Sequence, residues 1–200
     1  KKLHLSIELL EDLHIGTGTG IGDIDALQVR DRRGLPVLPS SHIKGVLLQT
    51  AHDLMKVQPE AISQTDIETL FGRPGGGQGC VQLTSAYLPD RDNFDAIDTL
   101  LWGSTGIDPK QGRAQETSLR LVEYIPAGRT FTLQAFLPSR HQDLLTAIIG
   151  RCTRLGAGRN RGYGLVCWRL QTPNGKKSLV QIPQKAPAYP QRLRLLLRNL

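Results

Sequence analysis

Residues 155–164, LGAGRNRGYG, place four glycines and two arginines between an amphipathic run and a strand-like segment. Glycine accepts a positive backbone φ and lets another molecule approach the main chain closely. Arg159 and Arg161 add forked donors beside consecutive N–H groups, a combination that binds phosphate. Neither the P-loop nor the dinucleotide pattern is present, because no Lys-Ser/Thr follows and a strand comes next. The segment predicts a turn that faces a nucleic-acid backbone; a plain helix-to-strand connection with solvated arginines is the alternative.

The overall charge indicates an acidic partner. The formal net charge is +7 and the sequence pI is about 9.6. A basic surface favours nucleic acid first and an anionic membrane second. No apolar run reaches the roughly 18 residues that a membrane-spanning helix needs. Cys80, Cys152 and Cys167 have neither disulfide nor zinc-site spacing, which indicates reduced thiols. We therefore expect a cytoplasmic protein that binds nucleic acid and has no membrane partner.

Hydrophobic periodicity predicts an α+β fold. The predicted strands cover 2–10, 24–30, 80–88, 118–125, 129–137 and 163–170, and the predicted helices cover 42–56 and 140–154, with a helical turn at 66–71. Residues 118–125 and 129–137 are predicted to pair as a hairpin around residues 126–129. The order is close to a ferredoxin-like (RRM-like) βαββαβ core with long loop insertions, the plan that RNA-binding RRM sheets share.

Two observations separate this chain from an RRM. No RRM signature is present, and aromatic residues are only 5% of the chain, so we expect loops to clamp an RNA backbone rather than a sheet to stack bases. The polar stretch 89–117 contains one small apolar island and predicts an exposed hairpin or loop.

The domain organisation follows from the proline content. Residues 1–171 form the ferredoxin-like domain, and residues 172–191 carry four prolines and are predicted to form a linker. The last segment, RLRLLLRNL at 192–200, repeats the alternating leucines of the opening strand. It is either the start of a second domain of the same kind or a short terminal element of the first.

Several segments in order resemble the successive motifs of one family. They are LHIGTGTGIGDIDALQVRD, GLPVLPSSHIKGVL, LFG, GIDPKQGRAQETSLRLVEYIPAGRTF and RLGAGRNRGYGLV. Together they resemble the RAMP superfamily, proteins of CRISPR effector complexes, over residues 3–170. The chain is most similar to the backbone subunits of type III complexes, which polymerise along the guide RNA. The resemblance implies a guide RNA, a target RNA and other effector subunits as partners, and 192–200 would open the next domain of a multi-RAMP chain.

The resemblance also implies two guide-binding segments. In the family the final glycine-rich loop lies against the guide phosphates, and the segment before the first helix touches the guide backbone. The matching residues are Gly156, Gly158, Arg159, Arg161 and Gly162 in the loop, and Ser41 and Lys44 at the helix start. The helix-start motif departs from the usual PGSSLKG form, since Ser40 stands where glycine is common and His42 where serine is common. A helix N-terminus with serines and a lysine is a reasonable anion site.

The resemblance implies Asp25 as the catalytic residue. It occupies the place of the aspartate in the family's G-I-D segment, which cleaves target RNA opposite the thumb, and 104–117 resembles that thumb hairpin. Because RNA carries its own nucleophile in the 2′-OH, a carboxylate that holds Mg²⁺ or Mn²⁺, or takes a proton, is enough for cleavage. If the segment is extended, Asp23 and Asp25 share a face and can hold the metal together. In the alternative, both are solvated loop residues or cap turns.

The leading hypothesis is an endoribonuclease that cleaves target RNA within the assembled, guide-loaded complex by a metal-dependent mechanism. A pair of histidines, His14 and His42, offers metal-free acid–base cleavage as an alternative. A second alternative is a RAMP module without catalysis that binds or caps the guide. A third, outside the family, is a basic α+β protein whose glycine-rich loop takes a nucleotide or a sulfated ligand.

Overall fold

The computed structural model describes residues 1–89, 99–108, 110, 112–114, 118–171 and 177–179. The strands are β1 (Lys2–Leu9), β2 (Gln82–Leu83), β3 (Leu100–Ser104), β4 (Arg120–Tyr124), β5 (Thr130–Phe136), β6 (Val166–Gln171) and β7 (Lys177–Leu179). The helices are α1 (Ser40–Val57), α2 (Gln64–Phe71) and α3 (Gln142–Arg151), and short 3₁₀ turns lie at Ser139–His141 and Arg159–Arg161.

The main sheet has the strand order β2-β5-β1-β6-β7, and its neighbouring strands are antiparallel. The connection from β1 through α1 to β2 skips one strand, β5. The connection from β5 through α3 to β6 skips β1 in the same way. Two interleaved units of this kind make the ferredoxin-like βαββαβ core. The predicted α+β ferredoxin-like fold is therefore confirmed.

Three elements supply the centre of the core: β1, α1 and α3. Their buried apolar side chains are Leu3, Leu5, Ile7 and Leu9 from β1, Ile43, Val46, Leu47 and Ala51 from α1, and Leu145, Ile148 and Ile149 from α3. Period two in the strand and a spacing of three or four in the helices put each set on one face. Burial of one such leucine or isoleucine contributes about 1.5–3 kcal/mol. This packing fixes α1 beside α3, and therefore beside the loop that follows α3.

The predicted hairpin of 118–125 with 129–137 is wrong. β4 pairs with β3 in a separate two-stranded sheet, whereas β5 pairs with β1. The turn between them separates the two strands, because the Gly128 N–H donates to the Leu9 carbonyl, 2.7 Å away. Alternation identifies a strand but not its partner, because the partner depends on which faces the whole chain buries.

Two other predicted strands are much shorter than expected. Residues 24–30 form isolated bridges, such as those of Ala26 with Val122 and Gln28 with Gly16, rather than a continuous strand. Within 80–88 only Gln82–Leu83 is a strand, followed by single bridges at Ala86 and Tyr87. Both segments are extended, but each changes partner every one or two residues, so no ladder forms.

Part of the predicted linker is ordered as a strand. Lys177–Leu179, or β7, lies inside the predicted linker 172–191 and pairs with β6. The rest of that linker and the whole of 192–200 lie outside the described residues, so the proposed second domain stays a prediction. None of the helices in the described part of the chain is long and apolar enough to cross a membrane.

Cys152 is buried, whereas Cys80 and Cys167 are partly exposed. Cys80, Cys152 and Cys167 are free thiols in the structure. Burial raises the pKa of Cys152 to about 11, so this thiol stays protonated at neutral pH and is a poor nucleophile. Its role is packing, between α3 and Trp168, whose indole N–H donates to the Cys152 carbonyl at 2.8 Å.

Candidate nucleic-acid interface

The glycine-rich segment 155–164 is a tight loop between α3 and β6. Gly156 is buried and has φ +78°, and a Cβ atom there would lie 2.5 Å from the His14 carbonyl oxygen. The other residues predicted to contact the guide, Gly158, Arg159, Arg161 and Gly162, are exposed. The predicted loop residues thus divide into one that packs against the end of β1 and four that face solvent.

The start of α1 is an uncapped helix N-terminus. Pro39 occupies the N-cap position without a side-chain hydrogen bond, and no acidic residue lies in the first turn. The Ser40 N–H donates to Ser85 Oγ at 3.1 Å. Ser41 is exposed and Lys44 is half-buried. Free N–H groups and the helix dipole make this end electropositive, and Lys44 adds a full charge one turn later.

His42 joins these two predicted guide-binding segments. Its Nε2 accepts a hydrogen bond from the Gly156 N–H at 3.0 Å. Burial, together with the nearby Arg159 guanidinium, lowers the pKa of His42 below its ordinary value of 6.5. The ring is therefore neutral at physiological pH and carries its proton on Nδ1. The sequence placed His42 near the RNA path but did not identify this contact.

The arginines around the loop have two different roles. Arg154 donates to Glu11 Oε2 at 2.7 Å and to the Tyr163 carbonyl at 2.8 Å, which closes the loop at its base. Arg159 and Arg161 are exposed and have no side-chain hydrogen bond or ion pair with any described residue. The N–H of Arg159, which opens the 3₁₀ turn, also lacks an acceptor in the described part of the chain. Their charge is therefore available to a ligand.

A row of rings connects the loop to β4. The centroids of His14 and Tyr124 are 5.5 Å apart, and those of Tyr124 and Tyr163 are 4.7 Å apart. Burial and the neighbouring Tyr163 raise the pKa of Tyr124, while Arg161 acts in the opposite direction. Sequence reasoning missed both tyrosines. The available signal was Tyr163 itself, an aromatic residue inside an otherwise glycine-rich loop.

His14 is a buried structural residue rather than a free base. Its Nδ1 lies 2.6 Å from the Glu123 carbonyl oxygen, and its own carbonyl accepts from the Ala157 N–H at 2.8 Å. His14 thus contacts β4 and the glycine-rich loop at once. His42 also has its Nε2 occupied, so neither ring presents both nitrogens to a substrate as the metal-free alternative requires.

Asp25 lies at the base of the β3–β4 hairpin. Its N–H donates to the Leu121 carbonyl at 2.9 Å, and its Oδ2 accepts from the Leu121 N–H at 2.8 Å. The side chain is exposed, and Oδ1 has no hydrogen-bond partner among the described residues. One carboxylate oxygen is therefore fixed by the hairpin and the other is available.

Residues 23–25 are not extended, so the condition under which Asp23 and Asp25 would share a face is not met. Ile21 and Ile24 exchange both backbone hydrogen bonds, at 2.9 and 3.1 Å, so Gly22 and Asp23 form a two-residue turn. Gly22 supplies the positive φ, +59°, that such turns need. Asp23 is exposed at the tip of this turn and does not share an extended face with Asp25.

The described residues contain no group of three or more His, Cys, Asp or Glu side chains that could hold a metal ion. A site made by the protein alone is therefore not formed in the described part of the chain. Mg²⁺ is often held by one or two carboxylates together with substrate phosphates. Oδ1 of Asp25 fits a shared site of that kind, in which RNA supplies other ligands.

The side chain of Glu123, in β4, links the β3–β4 hairpin to residues 28–30 by hydrogen bonds. This buried carboxylate accepts from Arg30, from Thr99 Oγ1 at 2.7 Å and from the Gln28 N–H at 2.8 Å. Burial alone would raise the pKa of Glu123, but these hydrogen bonds and the Arg30 charge hold it below its ordinary value. Sequence reasoning missed this network, since a lone Glu in an alternating strand gives no signal of burial.

The hairpin itself projects with apolar residues exposed. All five residues of β3 are exposed. The large apolar side chains in solvent here are Leu100, Leu101, Trp102, Ile107 and Leu119. Beyond the paired strands, Thr105 Oγ1 and Ser118 Oγ lie 2.7 Å apart and continue the hairpin. From residue 99 on, the described part of the predicted exposed segment 89–117 thus belongs to an exposed two-stranded element, while residues 90–98, 109, 111 and 115–117 lie outside the described residues.

The fold and these features define a ferredoxin-like domain with a glycine-rich loop after its second core helix and a projecting two-stranded hairpin. The family model of the RAMP superfamily matches residues 6–167. The chain belongs to the RAMP superfamily, as its sequence motifs predict.

Solved structures support the same fold. A chain in the cryo-EM structure of type III-B Cmr-beta in the apo state has a TM-score of 0.68 and 15% sequence identity, and the alignment covers 86% of this chain and 98% of that one. A chain of type III-B Cmr-beta bound to cognate target RNA has a TM-score of 0.67 and 14% identity, with 85% and 97% covered. A comparison with curated proteins found no significant match.

Proposed function

We propose that this chain is a guide-RNA-binding backbone subunit of a type III CRISPR effector complex, which assembles with other effector subunits in the cytoplasm and cleaves target RNA. The observation that carries the proposal is the contact between His42 and Gly156, 3.0 Å long, which joins two guide-binding segments far apart in sequence. Membership in the RAMP superfamily supports it. The similar fold of chains in two structures of type III-B Cmr-beta supports it too, and in one of these structures Cmr-beta is bound to cognate target RNA.

Guide binding rests on charge and free N–H groups. Arg159 and Arg161 lie on the loop, and Lys44 with Ser41 lies at the uncapped start of α1, and His42 joins these two segments. Lys and Arg that neutralise phosphates give tight, salt-sensitive binding without base preference. Such a surface suits a guide, because base pairing of the guide supplies sequence recognition.

Cleavage is assigned to Asp25. The 2′-OH oxygen of the target attacks the adjacent phosphorus, the bond from phosphorus to the 5′ oxygen breaks, and the leaving 5′ oxygen takes a proton from water. The products end in a 2′,3′-cyclic phosphate and a 5′-OH. The Leu121 N–H fixes Oδ2 of Asp25 at 2.8 Å and leaves Oδ1 available. Asp25 would hold Mg²⁺ or Mn²⁺, which would neutralise phosphate charge when bound. Without a metal, Oδ1 would take the 2′-OH proton directly.

The decisive experiment measures cleavage of labelled complementary RNA by the guide-loaded complex. Asp25→Asn keeps an oxygen that accepts from Leu121 but removes the charge, and we expect cleavage at one site to fall by a factor on the order of 10²–10⁴. Asp53→Asn, an exposed carboxylate on α1, is the charge-matched control and should cut normally. A chelator should abolish the same cut if the metal-dependent mechanism holds, and leave it if Oδ1 acts alone.

A non-catalytic module is the second candidate, and one observation favours it. Asp25 bonds Leu121 through both its backbone and its side chain, which is what a residue that only caps the hairpin base would do. In that case every cut survives Asp25→Asn, and guide and target binding are unchanged.

A further inference from the structure

We propose that His42 is a positioning residue for the guide RNA, whose ring nitrogen holds the glycine-rich loop against α1 so that Arg159 and Lys44 bind one stretch of guide. The inference rests on the proposed function and deepens it, by assigning a role to a residue at which this chain departs from its family motif. It also replaces the acid–base role that sequence analysis left open for this histidine.

The contact between His42 and Gly156 holds the glycine-rich loop near its first residues. The Gly156 N–H donates to His42 Nε2 at 3.0 Å, and the next N–H, of Ala157, donates to the His14 carbonyl at 2.8 Å. The consecutive N–H groups of residues 156 and 157 are thus held by His42 of α1 and by His14, which follows β1. Gly158 then turns the chain with φ +69° into the 3₁₀ turn that carries Arg159 and Arg161. The direction of both arginines therefore depends on where residues 156 and 157 are held.

The contact requires a lone pair on His42. A buried N–H without an acceptor costs about 1–3 kcal/mol, and Gly156 is buried. A protonated ring would present a second donor to the Gly156 N–H, and it would also face the Arg159 guanidinium. The lowered pKa of His42, caused by burial and then by Arg159, is consistent with this arrangement.

The same geometry argues against a role for His42 as a general base. A general base needs its lone pair free for the substrate proton, and that lone pair is already occupied. The role assigned to His42 is therefore that of a hydrogen-bond acceptor for the Gly156 N–H, and the amide oxygen of a glutamine can also accept this bond.

The test compares His42→Gln with His42→Leu in the purified chain. Gln offers an oxygen near the position of Nε2, whereas Leu fills the space without an acceptor. Binding of fluorescein-labelled single-stranded guide RNA is measured at fixed salt and neutral pH. We expect His42→Leu to weaken binding by a factor on the order of ten. His42→Gln should stay within about twofold of the wild type, because the acceptor is restored.

The outcomes separate this inference from the proposed function. If the wild-type chain does not bind guide RNA, the proposed function fails. If it binds and His42→Leu binds equally well, or if Gln and Leu weaken binding alike, the function stands and the positioning role is overturned. Lys44→Gln, which removes a charge without touching the Gly156 contact, serves as the reference for loss of a direct phosphate contact.

A measurement on the wild type guards against misfolding of the leucine variant. In the ¹⁵N spectrum of the histidine ring, Nε2 of His42 should have the shift of a bare nitrogen and Nδ1 that of a protonated one. The opposite tautomer would overturn the inference without any substitution. Hydrogen exchange at the Gly156 amide should be slow in the wild type and in His42→Gln, and fast in His42→Leu.

Discussion

The glycine-rich loop and the base of the β3–β4 hairpin are both proposed RNA sites, but they are held differently. The loop is fixed at its entry by neutral contacts with His42 of α1 and with His14, which follows β1, and it leaves the side chains of Arg159 and Arg161 without partners among the described residues. The hairpin base is fixed by a charged network around Glu123 and leaves one oxygen of Asp25 free. The loop therefore presents a preformed cationic surface, whereas the hairpin base presents one carboxylate oxygen that needs the substrate to complete its site.

The largest effect that would sharpen this comparison is expected from Glu123→Gln. Loss of the carboxylate charge removes the ion pair with Arg30, which keeps its hydrogen bond to the Gly34 carbonyl. We expect the free energy of unfolding to fall by about 2 kcal/mol, less than for a fully buried pair. Urea unfolding measures this. In the assembled complex, cleavage should fall while guide affinity changes little, because His14, which holds the loop, contacts the backbone carbonyl of Glu123 and not its side chain. Equal losses of both would show that the two regions are one unit.

The same group gives a pH dependence with a defined sign. The pKa of Glu123 is lower in the folded chain than its ordinary value of 4.5. Its contribution to stability is therefore complete above that ordinary value and is lost as the pH falls through the folded-state pKa. Glu123→Gln should remove this part of the acid destabilisation, and an unchanged pH profile would contradict the assignment.

A pair of glycine substitutions tests the loop. Gly156→Ala places a Cβ atom 2.5 Å from the His14 carbonyl, whereas Gly162→Ala has no atom within 4 Å. Both positions have positive φ, +78° and +90°, so backbone strain, about 1 kcal/mol in each, is matched. We expect Gly156→Ala to weaken guide binding by a factor on the order of ten more than Gly162→Ala does. Equal losses of guide binding would mean that backbone strain, and not the close contact of residue 156 with His14, causes the loss.

The smallest effect distinguishes the two kinds of arginine. Arg159→Gln should lower the salt dependence of guide binding by about 0.7 in the slope of log affinity against log salt, the value for one phosphate contact on a single strand. Arg154→Gln should leave that slope unchanged and lower stability instead, because Arg154 is paired with Glu11 at 2.7 Å. A slope change in Arg154→Gln would contradict the division of the arginines into structural and binding residues.

The fold was predictable because its signals are local. Alternating leucines in β1, helical spacing in α1 and α3, and the glycines of 155–164 each depend on a few neighbouring residues. The ordered motifs predicted the RAMP superfamily, which the family model confirms. The predicted hairpin of 118–125 with 129–137 was wrong for the opposite reason. Strand pairing depends on which surfaces are buried, and that is a property of the whole chain.

The sequence by itself therefore determined the family and the main elements β1, α1 and α3, and it predicted two guide-binding segments. Only the tertiary structure decided which side chains have partners. It paired β4 with β3, occupied His42 with Gly156, paired Arg154 with Glu11 and left Arg159 exposed. The physical reason is that a hydrogen bond or an ion pair forms between groups brought together by packing, and neighbours in sequence carry no information about that distance.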